Sequence, residues 1–396
     1  MVSKSILPCV KKAFWCVTIF AYFFQFPFPV LSHLIVPCVL GYIVLSFWRI
    51  EILKNRVYIV GLALLGTVLV FSVVISLIKA VAITRILRFL GILVLIPAVF
   101  CIRDDDFNEK KEIFIKLALI KSIVLIFFAA LVIYYGDFNW LRSWVFKYNL
   151  GDIYYLNRLF PKVQVHGNAL LLISFILDYT TSKKFTLRNV ILLLGVLCAG
   201  NFAFVLALMV FFGWKVMWIV VDFIKENPRL KKWTLTGVAL ASLVVALYFW
   251  VKIKEKSTVS NAVRLEQLFM FLDENIIFGN GLGSWIEHHS NLVHYSGDIY
   301  FELQTLYIVN QIGLIGIAMF YTVTLLPMYF SGKKRLFLYL VYLLFSFWNP
   351  YCFDSTQLIT IILIMNTAEL GDYNEKSDYY RLLPFSKCCK KYSQYI

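Results

Sequence analysis

The sequence predicts an all-α, polytopic membrane protein that forms one integral membrane domain over residues 1–396. The first observation is composition: 61% of the residues are hydrophobic and only 15% are charged. A soluble domain has about 45–50% apolar and about 25% charged residues. The second is the length of the apolar runs, several of which approach the roughly 20 residues that a membrane-spanning helix needs. The third is the placement of the basic residues in short clusters between those runs.

Twelve apolar windows predict about twelve transmembrane helices, near residues 13–28, 31–48, 57–78, 86–102, 113–135, 166–181, 190–200, 201–222, 233–251, 302–330, 336–348 and 356–370. The pair at 190–222 is too long for one span and short for two. We expect a half-length helix, a turn at Gly200–Asn201 and a returning helix there. The run at 302–330 is also long, and Pro327 is expected to end or kink it.

The basic residues predict which ends of the helices face inward. With both termini in the cytoplasm, inward segments carry 25 of the Lys and Arg residues and outward segments carry 11. This bias follows the positive-inside rule and favours an even number of spans. It leaves two outward, periplasmic loops at about 136–165 and 252–301, and a cytoplasmic tail at about 371–396. No small-x-small cleavage site follows the first apolar run, which predicts an uncleaved first span.

Charge and cysteine content exclude two other classes of protein. The net charge of +15 arises from clusters beside apolar segments, so it predicts contact with membrane lipid and no nucleic acid. The eight cysteines lie outside the two large polar loops, nearly all of them in apolar segments or basic inward tails. A disulfide framework is therefore not expected.

Arg264 is the first candidate for a site residue. It begins a stretch of the second loop in which apolar residues recur at near-helical spacing, which predicts an amphipathic helix near the membrane surface. A guanidinium offers a rigid fork of donors suited to phosphate oxygens. The alternative is an arginine that extends to the lipid headgroups.

Arg158, His166 and Asn168 lie together at the entrance to the sixth apolar window. Polar and ionisable residues at the edge of a span are costly when they face the bundle and tend to be functional. The alternative is a capped helix start, because Pro161 precedes the window and Asn168 is a good capping residue.

Glu302 enters the apolar run at 302–330. A carboxylate at that depth needs a raised pKa or a cationic partner. Either condition suits a general base that accepts the proton of a sugar hydroxyl. The alternative is an acidic residue favoured at a helix N-terminus by the macrodipole.

A glycine turn lies between Arg264 and Glu302. Gly279, Gly281 and Gly283 have GxGxG spacing, and no βαβ unit surrounds them, so a dinucleotide fingerprint is excluded. We expect a tight re-entrant turn whose backbone approaches the substrate or packs closely against the protein.

Histidines and arginines elsewhere in the outward segments are further candidates. The spacing of His288, His289 and His294 matches no standard zinc site, so no metal is predicted. Contacts to sugar or phosphate are the functional interpretation, and an exposed interfacial loop is the alternative. Arg85 and Arg88 lie at a predicted outward turn, where they are expected to attract an anionic head group.

Taken in order, these motifs resemble the O-antigen polymerase and O-antigen ligase superfamily. The resemblance covers the span count, the two outward loops and the order of motifs along nearly the whole chain. Arg158 followed by His166-Gly-Asn168 is similar to the family's arginine and small-residue-Asn entry to a middle span. Arg264 followed by FGNGLGSW is similar to its arginine, helix and Gly-x-Gly turn. Glu302 precedes a segment with QIGLIG; the ligase branch usually has histidine there, so this chain resembles the polymerase branch.

The resemblance implies a GT-C-like glycosyltransferase architecture in the bacterial inner membrane and an inverting, metal-independent glycosyl transfer without a cofactor. Donor and acceptor would be glycans linked to undecaprenyl pyrophosphate. Arg158 and Arg264 would hold the pyrophosphate, and Glu302 would act as base. Substrate contacts would come from a wider set of residues: His166, Asn168, Gly281, Gly283, His289, His294, Arg85 and Arg88. A chain-length regulator and a flippase are the implied protein partners.

Three other functions stay open. One is an O-antigen ligase. Another is a transporter or lipid-linked oligosaccharide flippase, although such proteins often have inverted repeats with paired broken helices. This sequence has one broken pair, at 190–222, and its polar cluster lies at one membrane face. A structural assembly component is the third.

Overall fold

The chain is described here by a computed structural model, which is mostly helical. The structure describes residues 3–48, 55–104, 106–136, 138–156, 160–182, 185–200, 202–230, 232, 234–237, 240, 258–272, 275–286, 303–347, 349 and 351–370. The α-helices with defined bounds in this part are α1 (Ser3–Phe24), α2 (Ser32–Leu45), α3 (Arg56–Ile78), α4 (Ile83–Val99), α5 (Phe107–Tyr135), α6 (Asn139–Lys147), α7 (Ala169–Thr181), α8 (Leu187–Ala199), α9 (Phe202–Glu226), α10 (Thr258–Leu272), α11 (Gln304–Phe330), α12 (Lys333–Phe347) and α13 (Ser355–Asn366).

Five helices are long and apolar enough to cross a membrane, which supports a multi-pass membrane protein. They are α3 and α5 with the greater part of α1, and α9 and α11. The helices α7 and α13 are shorter, at 13 and 12 residues, and nearly all of their residues are buried. A helix that is apolar on all sides belongs inside a larger assembly of helices, so these two form the centre of the bundle.

The predicted break in the window at 190–222 is confirmed. The helix α8 ends at Ala199 and α9 begins at Phe202. The Cβ of any residue replacing Gly200 would lie 2.7 Å from the Phe204 Cβ, so glycine allows the chain to turn tightly. Pro327 lies in the last turn of α11, which ends at Phe330, in agreement with the expectation that it ends the run. A second break was not predicted: Gly313 has non-helical dihedrals (φ 73°, ψ 174°) and kinks this helix.

The predicted loop at 136–165 contains regular structure, which corrects the expectation of an all-α chain. It holds α6 and an antiparallel hairpin of β3 (Gly151–Leu156) and β4 (Phe160–Val165), paired from Gly151 with Val165 to Leu156 with Phe160. Tyrosine, isoleucine and valine favour strands. A second, minimal pair joins β1 (Phe47–Trp48) to β2 (Ile102–Arg103).

Polar contacts between helix ends lie at both ends of the bundle. At one end, the Asp104 end, the backbone N–H of Asp104 donates to Asn366 and Lys111 pairs with Glu369. At the other, the glycine-turn end, Lys79 donates to Asn280 at 3.0 Å. Each contact joins helix ends that the predicted alternation of spans places on one side. The order of the helices therefore agrees with a chain that crosses repeatedly between two faces.

The Asp104 end is held by a buried cluster of charges. The Asp104 carboxylate lies 3.1 Å from the Lys11 ammonium, 3.0 Å from that of Lys110, and accepts a hydrogen bond of 2.7 Å from the Tyr42 hydroxyl. All four residues are at most 7% exposed. The cluster ties α1, α2 and α5 to the connection between α4 and α5. It contains two cations and one anion, so its single carboxylate is critical.

Candidate functional site

The glycine turn fits into the break of α11. The backbone N–H groups of Asn280 and Gly281 donate to the carbonyls of Asn310 and Gln311 at 2.7 and 3.1 Å. The Leu282 N–H donates to the carbonyl of Ser72 in α3 at 3.3 Å. Carbonyls that the kink frees from the helical ladder thus find new donors in the turn, as buried backbone groups require.

The glycines are required by this close packing. Gly281 has φ +99°, and a Cβ there would lie 2.7 Å from the hydroxyl oxygen of Ser76. At Gly283, with φ +76°, a Cβ would lie 2.9 Å from the Arg85 Cβ. The structure therefore supports the packing interpretation of the turn. Binding of substrate by Gly281 and Gly283 stays a prediction.

Replacing Gly313 with alanine is expected to destabilise the protein by about 1–3 kcal/mol, the range for strained backbone conformations. Its φ is +73°, and a Cβ would lie 2.1 Å from the carbonyl oxygen of Ile277. Chemical unfolding of the purified protein in detergent measures the change. Gly66→Ala is the matched control, because no atom lies within 4 Å of its Cβ position and alanine favours a helix. Equal stability of the two variants would contradict the packing interpretation.

Arg85 joins the glycine turn, whereas Arg88 does not. The Arg85 guanidinium lies 4.5 Å from the centre of the Trp285 ring, a cation–π arrangement. Arg88 is exposed, with its guanidinium 6.0 Å from the ring of its neighbour Phe89. The structure thus brings together two predicted substrate contacts, Arg85 and Gly283, beside a tryptophan that is 43% exposed.

The predicted amphipathic helix exists as α10, and Arg264 lies on its inner face. Gln267 and Phe271 follow Arg264 at helical spacings of three and seven, and they are only 2% and 4% exposed. Leu265 and Phe269 point away, at 51% and 59% exposure. Arg264 itself is half-buried. This orientation favours an Arg264 side chain that faces the helix bundle over one that extends to the lipid headgroups.

His166 and Asn168 are positioned by the end of the hairpin. The His166 N–H donates to the Leu150 carbonyl at 2.9 Å, and the Asn168 side-chain amide donates to the Val163 carbonyl at 2.8 Å. Asn168 therefore fastens the turn and makes no side-chain cap on α7. Between them, Gly167 (φ +84°) lies against the end of α1, where a Cβ would meet the Tyr22 carbonyl at 2.3 Å.

A cavity of about 320 Å³ opens beside His166. This size suits a small ligand or head group. Its polar wall comes from the connection between α1 and α2 and from the end of α6, through Gln25, Ser32, His33, Tyr148, Asn149 and His166. The imidazole of His166 can donate or accept a hydrogen bond at this wall.

Asp354, which was not among the predicted site residues, lies immediately before α13. Its carboxylate caps α13, accepting from the Thr356 and Gln357 N–H groups, and burial raises its pKa to about 6. The preceding Phe353 N–H donates to the side chain of Gln304 at 3.2 Å. A sequence signal existed, since Asp354-Ser-Thr before an apolar run is a helix-start pattern. This pattern predicts a helix cap, but it does not predict the site around Asp354.

Four predicted site residues lie outside the described residues: Arg158, Glu302, His289 and His294, together with neighbouring His288. Arg158 belongs to the connection between β3 and β4, and Glu302 stands two residues before the start of α11. Within the described part of the chain, no group of three or more His, Cys, Asp or Glu side chains is arranged to hold a metal ion.

The cavity and the glycine turn are connected through the start of α13. The Tyr22 carbonyl accepts a hydrogen bond from the cavity-lining Gln25, and the Tyr22 hydroxyl lies 2.9 Å from that of Thr356. Gln304 at the start of α11 contacts Phe353. Both features therefore belong to one end of the bundle. No known protein family, curated protein or solved structure matches this chain.

Proposed function

We propose that this protein is a bacterial inner-membrane polymerase of surface polysaccharide. It would join undecaprenyl-pyrophosphate-linked repeat units, as in O-antigen synthesis, by inverting glycosyl transfer at the periplasmic face. The observation that carries the proposal is the gathering of Arg85, the inner face of α10 and the His166 cavity at one end of an apolar bundle. A lipid-linked substrate needs such a place, where cations and hydrogen-bond donors meet the membrane surface.

The Asp104 end is assigned to the cytoplasm. The segments predicted to face inward carry 25 of the Lys and Arg residues against 11 in the outward segments, as the positive-inside rule expects of the cytoplasmic side. The glycine-turn end then faces the periplasm, with about twelve spans, both termini inside and a GT-C-like arrangement. Trp285 and Trp140, which are 43% and 62% exposed, suit the membrane interface at that end.

The chemistry requires one base and a stabilised leaving group. The acceptor hydroxyl oxygen attacks the anomeric carbon of the growing glycan, while the bond from that carbon to the pyrophosphate oxygen breaks. Undecaprenyl pyrophosphate leaves with the bonding electrons, and the hydroxyl proton passes to Glu302. Arg158 and Arg264 would stabilise the negative charge that develops on the pyrophosphate. A direct displacement of this kind inverts the anomeric centre.

Replacing Glu302 with glutamine is expected to lower the rate of chain growth by about 100-fold, the lower range for removal of a general base. The amide keeps the size and shape of the side chain but does not take up the proton. Turnover of purified lipid-linked repeat units measures the effect. Glu266→Gln on α10 is the control, since it removes a half-buried carboxylate outside the proposed chemistry. An unchanged rate in Glu302→Gln would remove this residue as base.

The decisive test supplies purified protein with lipid-linked repeat units and separates the products by length. Growth into long chains with release of undecaprenyl pyrophosphate supports the proposal. In cells lacking the protein, a lost polymerase leaves single repeat units on the acceptor. A lost flippase leaves none outside, and a lost ligase leaves polymer on the lipid carrier. Either of those two patterns would overturn the proposal in favour of the corresponding function.

A further inference from the structure

We infer that the cavity between His33 and His166 is a binding site for a phosphate group, with the buried ammonium of Lys121 supplying positive charge behind its wall. The inference uses neither Arg158 nor Arg264. Phosphate binding in this cavity does not depend on glycosyl transfer. The cavity can therefore fail to bind phosphate while the proposed function holds, and it can bind phosphate while the proposed function fails.

Lys121 is the first observation. Its side chain lies in the middle of α5 and is 0% exposed. The ammonium donates to the carbonyl oxygens of Phe26 and His166, at 3.4 and 3.3 Å, and lies 5.0 Å from the centre of the Phe26 ring. No carboxylate of the described residues forms an ion pair with it. A buried cation in a membrane protein normally has a counter-charge or marks a functional position.

The position of the ammonium relative to the cavity is the second observation. Both carbonyls that it contacts belong to segments that form the cavity wall: His166 lines the cavity, and Phe26 follows the lining residue Gln25. The Lys121 ammonium therefore lies behind the backbone that forms the cavity wall. In a poorly polarisable interior, its field is weakly screened and extends into the cavity.

The lining itself is the third observation. Six described side chains on the wall can donate hydrogen bonds, and none is a carboxylate: Gln25, Ser32, His33, Tyr148, Asn149 and His166. Gln25 uses one amide proton on the Tyr22 carbonyl at 3.0 Å, which leaves the second. The nearest acidic residue along the chain, Asp152, is neutralised by Arg142 at 2.8 Å. Donors around a positive field suit the acceptor oxygens of a phosphate.

Asn149 has an unusual backbone conformation that fixes the shape of this part of the cavity wall. Its φ of +49° lies in the left-handed region, which residues other than glycine seldom adopt and asparagine tolerates best. This conformation ends the turn after α6 beside the cavity, where the Asn149 N–H donates to the Phe146 carbonyl at 3.0 Å. Glycine can adopt the same backbone, so Asn149→Gly removes the amide without straining the chain.

The test measures binding of pyrophosphate to the purified, full-length protein in detergent, at constant ionic strength set with chloride. Isothermal titration calorimetry is run over a pyrophosphate series, because the occupancy of a single site saturates, whereas a thermal midpoint keeps rising with the logarithm of ligand concentration. We expect saturation with the native chain. Binding should weaken at least about tenfold in His33→Ala and in Asn149→Gly. Lys121→Gln keeps a donor for the two carbonyls and should weaken binding similarly.

Lys215→Met is the matched control, since this lysine of α9 also lies over an aromatic ring, 4.2 Å from that of Tyr179, but away from the cavity. A second arm places the protein in nanodiscs of phosphatidylglycerol or phosphatidylcholine and counts retained lipids by native mass spectrometry. Saturation by pyrophosphate identifies a soluble or substrate phosphate. Retention of phosphatidylglycerol alone identifies a lipid head group. Binding in neither arm, or binding unchanged in both His33→Ala and Asn149→Gly, overturns the inference; these two variants decide the question even if Lys121→Gln fails to fold.

Discussion

Replacing Arg264 with alanine is expected to reduce chain growth by about 1,000-fold while the protein level stays normal. Removing one preorganised group that stabilises developing charge costs about 10²–10³ in rate. Arg264 lies on the inner side of α10, on the same face as Gln267, which is only 2% exposed. Polymer length in cells and turnover of purified repeat units measure the effect.

The same position allows a sharper comparison of arginine with lysine. Arg264→Lys keeps the charge but loses the planar fork of donors, so it should restore little activity if the pyrophosphate is held by two parallel hydrogen bonds. Leu265→Ala is the matched control. It shortens the next side chain on the exposed face of the same helix and should leave turnover unchanged. Normal long chains in Arg264→Ala would exclude the proposed role, and full rescue by lysine would reduce it to simple charge.

The helices were predictable from the sequence because membrane-spanning segments are recognisable from their local apolar composition. An apolar run in lipid has to satisfy its own backbone, and a helix does so within the segment. The break at Gly200–Asn201 was predictable for the same reason, since turn-forming residues interrupted a run of the wrong length. The β3–β4 hairpin was missed because its pairing depends on contacts outside any apolar window.

Contacts between distant segments could not be predicted from local pattern. Gly313 breaks α11 because the glycine turn supplies donors to the freed carbonyls. The residues next to Gly313 in the sequence do not indicate that the glycine turn packs there. The amphipathic pattern of α10 was visible, but the side that Arg264 occupies became clear only from the burial of its neighbours. His33 carried no signal, because it joins His166 across 133 positions of sequence.

The polar cluster around Asp104 was missed for a related reason. The count of charges placed Lys11 and Lys110 in inward-facing segments and predicted nothing about their burial. The structure instead buries both beside one carboxylate. A count of charges predicts which face they occupy, whereas their pairing depends on how α1, α2 and α5 pack.

Replacing Asp104 with asparagine is expected to destabilise the protein by about 3–5 kcal/mol, the cost of removing one partner from a buried ion pair. The change leaves the ammonium groups of Lys11 and Lys110 buried, where they repel each other without a counter-charge. That loss is a large part of the roughly 5–15 kcal/mol that stabilises an average protein. Denaturant unfolding in detergent at neutral pH measures it.

Two comparisons test whether charge is the cause. Asp222→Asn, which removes the exposed partner of Lys225 at 3.1 Å, should change stability little. Lys11→Met should cost less than Asp104→Asn, because it leaves one cation with one anion. Burial by itself raises the pKa of Asp104, but hydrogen bonds from Tyr42, Lys110 and Lys11 outweigh it, and the pKa is lowered. The stabilisation is therefore fully present above the ordinary aspartate pKa of about 3.9 and is lost in stronger acid. If Asp104→Asn and Asp222→Asn unfold alike, the cluster does not hold this end of the bundle together.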